Sequence, residues 1–208
     1  IIGNKSILVY DTGPSKQFAE RFIKKLRKYS KKPIKYLVIS HRHFDHAYGI
    51  EVYIKKKASI LIDKTEYSYL KKEGSLINKL LINNLGFNEN NINFDDISDE
   101  KINFLDDSIE VNLGNRRVLI KNLGIAHTKG DLIAYDFNTN TYITGDVIFI
   151  GRAAAFSDAN IPMWIDVINN KLDLSWDYLI PGHGSIIKNK LELNDTKNWL
   201  YFLDNAVK

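Results

Sequence analysis

The six residues His41-Arg42-His43-Phe44-Asp45-His46 constrain this chain of 208 residues more than any other stretch. They follow directly on residues 36–39, a short and nearly all-apolar run of the kind that forms a strand buried on both faces. In α/β architectures, ligands collect in the loops at the carboxyl ends of such strands. If the backbone stays extended, His41 and His43 point to one side and can grip a single ion. Asp45 and His46, just beyond, can turn toward a neighbouring position. Imidazole and carboxylate suit zinc, and also iron or manganese. A lone histidine is usually an ordinary surface or core residue, but three histidines and an aspartate in six positions point to metal. The chain has no cysteine, so any transition-metal site in it must be built from His and carboxylate.

The remaining histidines stand in similar places. His127 lies in Gly124-Ile125-Ala126-His127-Thr128-Lys129-Gly130-Asp131, between two strand-like runs. His183 lies in Pro181-Gly182-His183-Gly184, directly after the run 178–180. Glycines beside a histidine let the backbone pass close to an ion. Asp146, in Thr144-Gly145-Asp146, ends another strand-like run; alone it would read as a turn residue, but with the histidines it can bridge two cations.

The rest of the chain reads as alternating short strands and helices. Strands are expected at 7–10, 36–39, 59–62, 118–121, 132–136, 142–144 and 178–180. Ser15 can cap a helix whose apolar positions Phe18, Phe22, Ile23, Leu26 and Tyr29 keep helical spacing and which Pro33 ends. Further helices are expected at 65–81, at 162–172 with proline at an early position, and at 191–207. Leu113-Gly114-Asn115-Arg116 is a hairpin signature. Residues 83–100, Asn-rich and without periodicity, read as a mobile surface segment, a candidate flap beside the site. Strands and helices in both halves imply an α/β fold of two sheets covered by helices, in a single domain over residues 1–208. The opening, residues 1–10, looks like mid-strand or hairpin, so residues upstream are expected to have been removed.

Several classes are excluded or demoted by composition. No apolar run approaches the roughly 18 residues of a membrane helix, so no membrane partner is expected. The balance of 29 basic and 25 acidic residues is mildly basic, with lysines spread along the chain and the run 55–57 read as a solvated helix end, so no nucleic-acid partner is expected.

In order, His41-x-His43-x-Asp45-His46, His127-Thr128, Gly145-Asp146 and Pro181-Gly182-His183-Gly184 resemble the metal motifs of the metallo-β-lactamase superfamily. The resemblance runs over nearly the whole chain and uses every histidine. It implies a four-layer αββα sandwich and two zinc ions, with iron or manganese as alternatives. His41, His43 and His127 would hold the first metal, Asp45, His46 and His183 the second, with Asp146 bridging. Asp11, in Tyr10-Asp11-Thr12-Gly13, matches a position that supports the metal loop from behind. Two metals about 3.5–4 Å apart share a hydroxide of lowered pKa, implying hydrolysis of an ester, thioester, lactone or amide of a small molecule, with Asp45 orienting the water.

The branch is narrowed by departures. The absence of cysteine excludes β-lactamases with a cysteine ligand, and other β-lactamases lack the bridging aspartate, so antibiotic hydrolysis is disfavoured. Asp146 is nearer the pattern of glyoxalase II, although only a short segment follows His183 where that enzyme has a helical domain. Nucleases of the superfamily need a further histidine, and all five here are allocated. A mononuclear iron persulfide dioxygenase, with ligands matching His41, His127 and Asp146, is the redox alternative. Residues 145–164 are also similar to metallohydrolase-like proteins of bacterial quinoprotein systems, many of them exported, which leaves both periplasm and cytoplasm open. Tyr48, Lys129, Arg152, Phe156 and Trp164 are candidates to line a substrate cleft; oligomeric state is not legible.

Overall fold

The computed structural model describes residues 1–86, 97 and 99–206, and they form two compact units. The first comprises Ile1–Leu105 with the hairpin tip Leu113–Asn115, and the second Asp106–Asn112 with Arg116–Lys208.

The first unit is built on a parallel sheet. Strands β1 (Ile7–Tyr10), β2 (Ile34–Val38), β3 (Ser59–Ile62) and β4 (Ile102–Phe104) pair in that order. Parallel neighbours need crossover connections. These are α1 (Lys16–Leu26), the short α2 (Phe44–Ala47) and α3 (Ile50–Lys55), and α4 (Lys64–Leu85). Each long helix starts on a side-chain cap: Ser15 accepts from the Phe18 amide, and Asp63 from the Thr65 and Glu66 amides. Ile7, Val9, Leu37, Ile39, Ile60 and Ile62 pack with Ala19, Ile23, Ile50, Tyr53 and Leu70 of the helices. On α1 the apolar pattern is only partly buried. Ile23 is inside, but Phe18 and Phe22 are 48% and 41% exposed and Tyr29, past the helix end, 75%.

The second unit holds a sheet of order β5 (Ser108–Asn112), β6 (Arg117–Asn122), β7 (Leu132–Asp136), β8 (Thr141–Ile143) and β9 (Tyr178–Ile180). The first four pair antiparallel, and β9 lies parallel to β8. Helices α5 (Ile161–Asn170) and α6 (Asn194–Ala206) complete it. Asn160 caps α5, whose second residue is the proline. Trp164, Val167, Leu179, Leu200 and Phe149 form its core.

Three expectations need correction. Strand β2 starts at Ile34 because its pairing with β1 begins there, at Ile7↔Ile34. The last helical stretch is a 3-10 turn at Lys190–Leu193, closed by a capping box of Asn189 and Glu192, followed by α6. Strand β4 was not foreseen: three residues are too few for alternation to register, and its parallel pairing with β3 defines it. Of the expected surface segment at 83–100, residues up to 85 finish α4 and 99–101 form a 3-10 turn. Residues 87–96 and 98 lie outside the described residues.

Candidate metal centre

In the first unit, β2 ends at Val38 and delivers Ser40 and His41 into the interior, where both are buried. Asp11, at the end of β1, organises this loop. Its Oδ1 accepts from the Ser40 amide at 2.8 Å and its Oδ2 from the Ser40 hydroxyl at 2.9 Å. Its Oδ2 also lies 2.7 Å from His46 Nδ1. Asp11 itself sits at φ 58°, a left-handed conformation that aspartate tolerates better than most residues. Thr12 adds a second tie, since its amide and hydroxyl both donate to the His46 carbonyl, at 2.7 and 2.8 Å.

These contacts fix two tautomers. A carboxylate can only accept, so His46 carries its proton on Nδ1. The Ser40 hydroxyl has one proton and gives it to Asp11, so it accepts from His41 Nδ1, 2.9 Å away. In both rings Nε2 is then the acceptor atom, the form in which a neutral imidazole binds a cation. The rings are close: centroids of His41 lie 4.6 Å from His43 and 4.3 Å from His46. His43 is the N-cap of α2, and the single turn that follows carries Asp45 and His46, whose Oδ2 and Nε2 are 3.6 Å apart.

A buried carboxylate braces the same loop from α4. Glu66 Oε2 accepts from the Arg42 amide at 3.0 Å, and its two oxygens accept from Arg42 Nη1 at 3.0 and 3.1 Å. The Arg42 guanidinium also lies 4.7 Å over the ring of Tyr69. Sequence reading passed over Glu66; its spacing after Asp63 reads as an ordinary first-turn acid.

In the second unit, the loop between β6 and β7 carries His127. Asp131, buried, holds it by accepting from the Thr128 amide at 2.8 Å and the Thr128 hydroxyl at 2.9 Å. The His127 ring meets Trp164 edge-on at 5.1 Å. Asp146 sits on the 3-10 turn Gly145–Val147 after β8, and His183 follows β9. The Gly182 amide donates to the Gly145 carbonyl at 2.7 Å, and a Cβ at 182 would fall 2.0 Å from Asp146 Oδ1. Only glycine fits there. The Phe149 ring stacks on His183 at 5.2 Å. Asp146 Oδ2 lies 3.5 Å from His127 Nε2 and 3.4 Å from His183 Nε2.

The donor set passes a simple geometric test. Two ligands on one tetrahedral zinc, with bonds of about 2.0–2.1 Å, stand about 3.3–3.4 Å apart. The separations of 3.4, 3.5 and 3.6 Å match that edge and exceed the usual hydrogen-bond range. Imidazole and carboxylate at these spacings fit a metal ion.

The candidate cleft residues divide. Lys129, Arg152 and Phe156 are exposed. Tyr48, expected to line a cleft, is instead buried in the first unit's core, where desolvation pushes its phenol well above the ordinary range. Trp164 is corrected likewise. It has no exposed surface, and its indole N–H donates to the Val147 carbonyl at 2.8 Å, so it serves as packing behind His127.

The sequence profile of the metallo-beta-lactamase superfamily matches residues 1–193. The chain belongs to that superfamily. Most of its members are metal-dependent hydrolases. Among solved structures, the same fold recurs in TMB-1, studied for substrate and inhibitor binding, with a TM-score of 0.75 at 18% identity, covering 99% of this chain and 84% of that one. A metallo-beta-lactamase from Pontibacter korlensis aligns with a TM-score of 0.73 at 16% identity, covering 97% of this chain and 85% of the other. At such identities the likeness is one of fold. No curated protein sequence matches the chain.

Proposed function

We propose that this superfamily member is a dinuclear metal-dependent hydrolase of a small carbonyl substrate: an ester, thioester, lactone or amide. In this reading His41, His43, His127 and Asp146 would hold one ion and Asp45, His46 and His183 the other, and Asp146 would be shared between them. The observation that carries it is Asp146 Oδ2, set 3.5 and 3.4 Å from two imidazole nitrogens, the spacing of ligands that share an ion.

A bound metal pair supplies an acidified water and a Lewis acid for the substrate oxygen. The protein's own part is orientation. Asp11 and Ser40 hold the rings of His46 and His41 in one tautomer, and Asp45 accepts the hydrogen bond that aims the water. With all five histidines taken as ligands, Asp45 would be the group that takes the proton from the attacking water. A carboxylate at position 146, and no cysteine anywhere, support a pattern nearer glyoxalase II than the cysteine-ligand β-lactamases.

The test is a panel of esters, thioesters, lactones and β-lactams with the zinc-loaded protein. Hydrolysis is expected for one carbonyl class, lost on chelation and restored by zinc, and reduced by about 10²-fold or more in Asp45→Asn. Hydrolysis that survives both chelation and Asp45→Asn sinks the reading. Oxygen consumption with a persulfide and one iron per chain would replace it with the dioxygenase.

A further inference from the structure

Residues 16–57 carry thirteen Lys and Arg against three Asp and Glu, a net of +10, while the whole chain is only +4. The rest of the protein is therefore acidic, and the positive charge is concentrated on one part of the first unit. Helix α1 is its centre. Arg21, Lys24, Lys25 and, past its end, Lys28 are exposed. Placed at 3.6 residues per turn, they form one face of the helix.

Two features border that face. On one side are Phe18 and Phe22, one turn apart and nearly half exposed, with Tyr29 beyond. On the other, a cavity of about 410 Å³ lies between α1 and α3, lined by Lys16, Lys24, Lys55 and Lys56 with one acid, Glu20. The helix buries Ala19 and Ile23 inward, and although the Phe18 ring covers Gly13, nearly half of it and of Phe22 faces outward. Aromatic rings beside a field of lysines are the composition of surfaces that lie on the headgroup region of a bilayer.

We propose that this face of α1, with the lysine-lined cavity beside it, docks the protein on an anionic lipid surface. Phe18 and Phe22 enter the boundary between headgroups and acyl chains, the surrounding cations meet the negative surface potential, and the cavity receives a lipid phosphate. Lysine as a point charge is sufficient for this role. A nucleic-acid reader would rely on arginine forks, and here two of the three arginines are occupied. Arg27 donates to the Ser30 and Lys32 carbonyls, and Arg42 is buried on Glu66. No described helix is long and apolar enough to cross a membrane, and what is proposed for this face is contact with a bilayer surface. The inference is independent of the metal reading.

The test is co-sedimentation of the intact protein with vesicles. Binding is expected to an equal mixture of phosphatidylcholine and phosphatidylglycerol, and not to phosphatidylcholine alone. It should fade as salt shortens the Debye length from about 10 Å at 0.1 M to about 3 Å at 1 M. A basic residue near the surface is worth about fivefold in partitioning, so the double variant Arg21→Gln, Lys25→Gln should bind about 25-fold less. Phe22→Ser should bind several-fold less, and Phe22→Trp should bind and shift its emission to the blue on the mixed vesicles. Circular dichroism shows whether these exposed-site variants fold. Absence of binding to the mixed vesicles by the folded protein, or binding indifferent to the variants, overturns the proposal. So does tighter binding of single-stranded RNA or DNA at the same salt, lost in the same variants.

Discussion

Glu66 has no exposed surface, and it spends both oxygens on Arg42, whose neighbours on either side are two of the candidate ligands. Removing Glu66 would leave the buried Arg42 guanidinium to the more distant Glu73 carboxylate, 4.0 Å away, at a cost of about 3–5 kcal/mol. Glu66→Ala is therefore expected to lose about that much in denaturant unfolding. Glu66→Gln, which keeps an acceptor for the Arg42 amide, should lose less. Equal stability of wild type and Glu66→Ala would mean the pair contributes nothing to the fold. The neighbouring Asp11 works at shorter range, setting a single proton on a single ring. Its left-handed backbone is a strain retained where the loop must turn back on His46.

At the scale of elements, the second sheet has its own electrostatic clamp. Arg116, just before β6, grips Asp136 at the end of β7, with Nε 3.2 and 3.1 Å from its two oxygens and Nη2 2.5 Å from Oδ2. The Thr139 hydroxyl adds a hydrogen bond at 2.6 Å and the Asn138 amide one at 3.2 Å. Burial alone would raise the Asp136 carboxyl, but the hydrogen bonds and the Arg116 charge outweigh it and hold the group below its ordinary value of 3.8. A carboxylate depressed by folding contributes stability above its unfolded pKa and loses it as pH falls through the folded one. Asp136→Asn should thus be less stable than wild type at neutral pH, with the gap closing below pH about 4. Unfolding followed by tryptophan fluorescence across that range measures it; a gap that stays constant with pH contradicts the assignment.

For the whole molecule, a metal that binds the folded chain and not the unfolded one should couple to global stability. A ligand at 100 times its Kd adds about 2.7 kcal/mol to the folded state. Zinc in that excess should raise the melting temperature, and chelation should lower it. A melting temperature indifferent to both would argue against a metal held by folded protein. Much of this molecule was legible along the chain. Strands β3, β7 and β9, the cap Ser15 and the hairpin turn at Gly114-Asn115 are local signals, set by side-chain periodicity and turn chemistry over a few residues. The seven candidate donors were legible for the same reason, since histidines at close spacing after strand-like runs are a local pattern. The basic character of residues 16–57 was also there to be counted, but a chain-wide average near neutrality concealed it.

What the chain alone determined, then, was the order of its elements and a set of candidate donor residues. The tertiary structure decided which ring nitrogen of His41 and His46 is the acceptor. It braced the loop with Glu66, placed Tyr48 and Trp164 inside, and turned Phe18 and Phe22 outward. Each of these depends on partners brought together from distant positions: Asp11 and His46 are 35 residues apart, Arg42 and Glu66 24. Periodicity says that a side chain belongs to a face, but only packing says what that face meets.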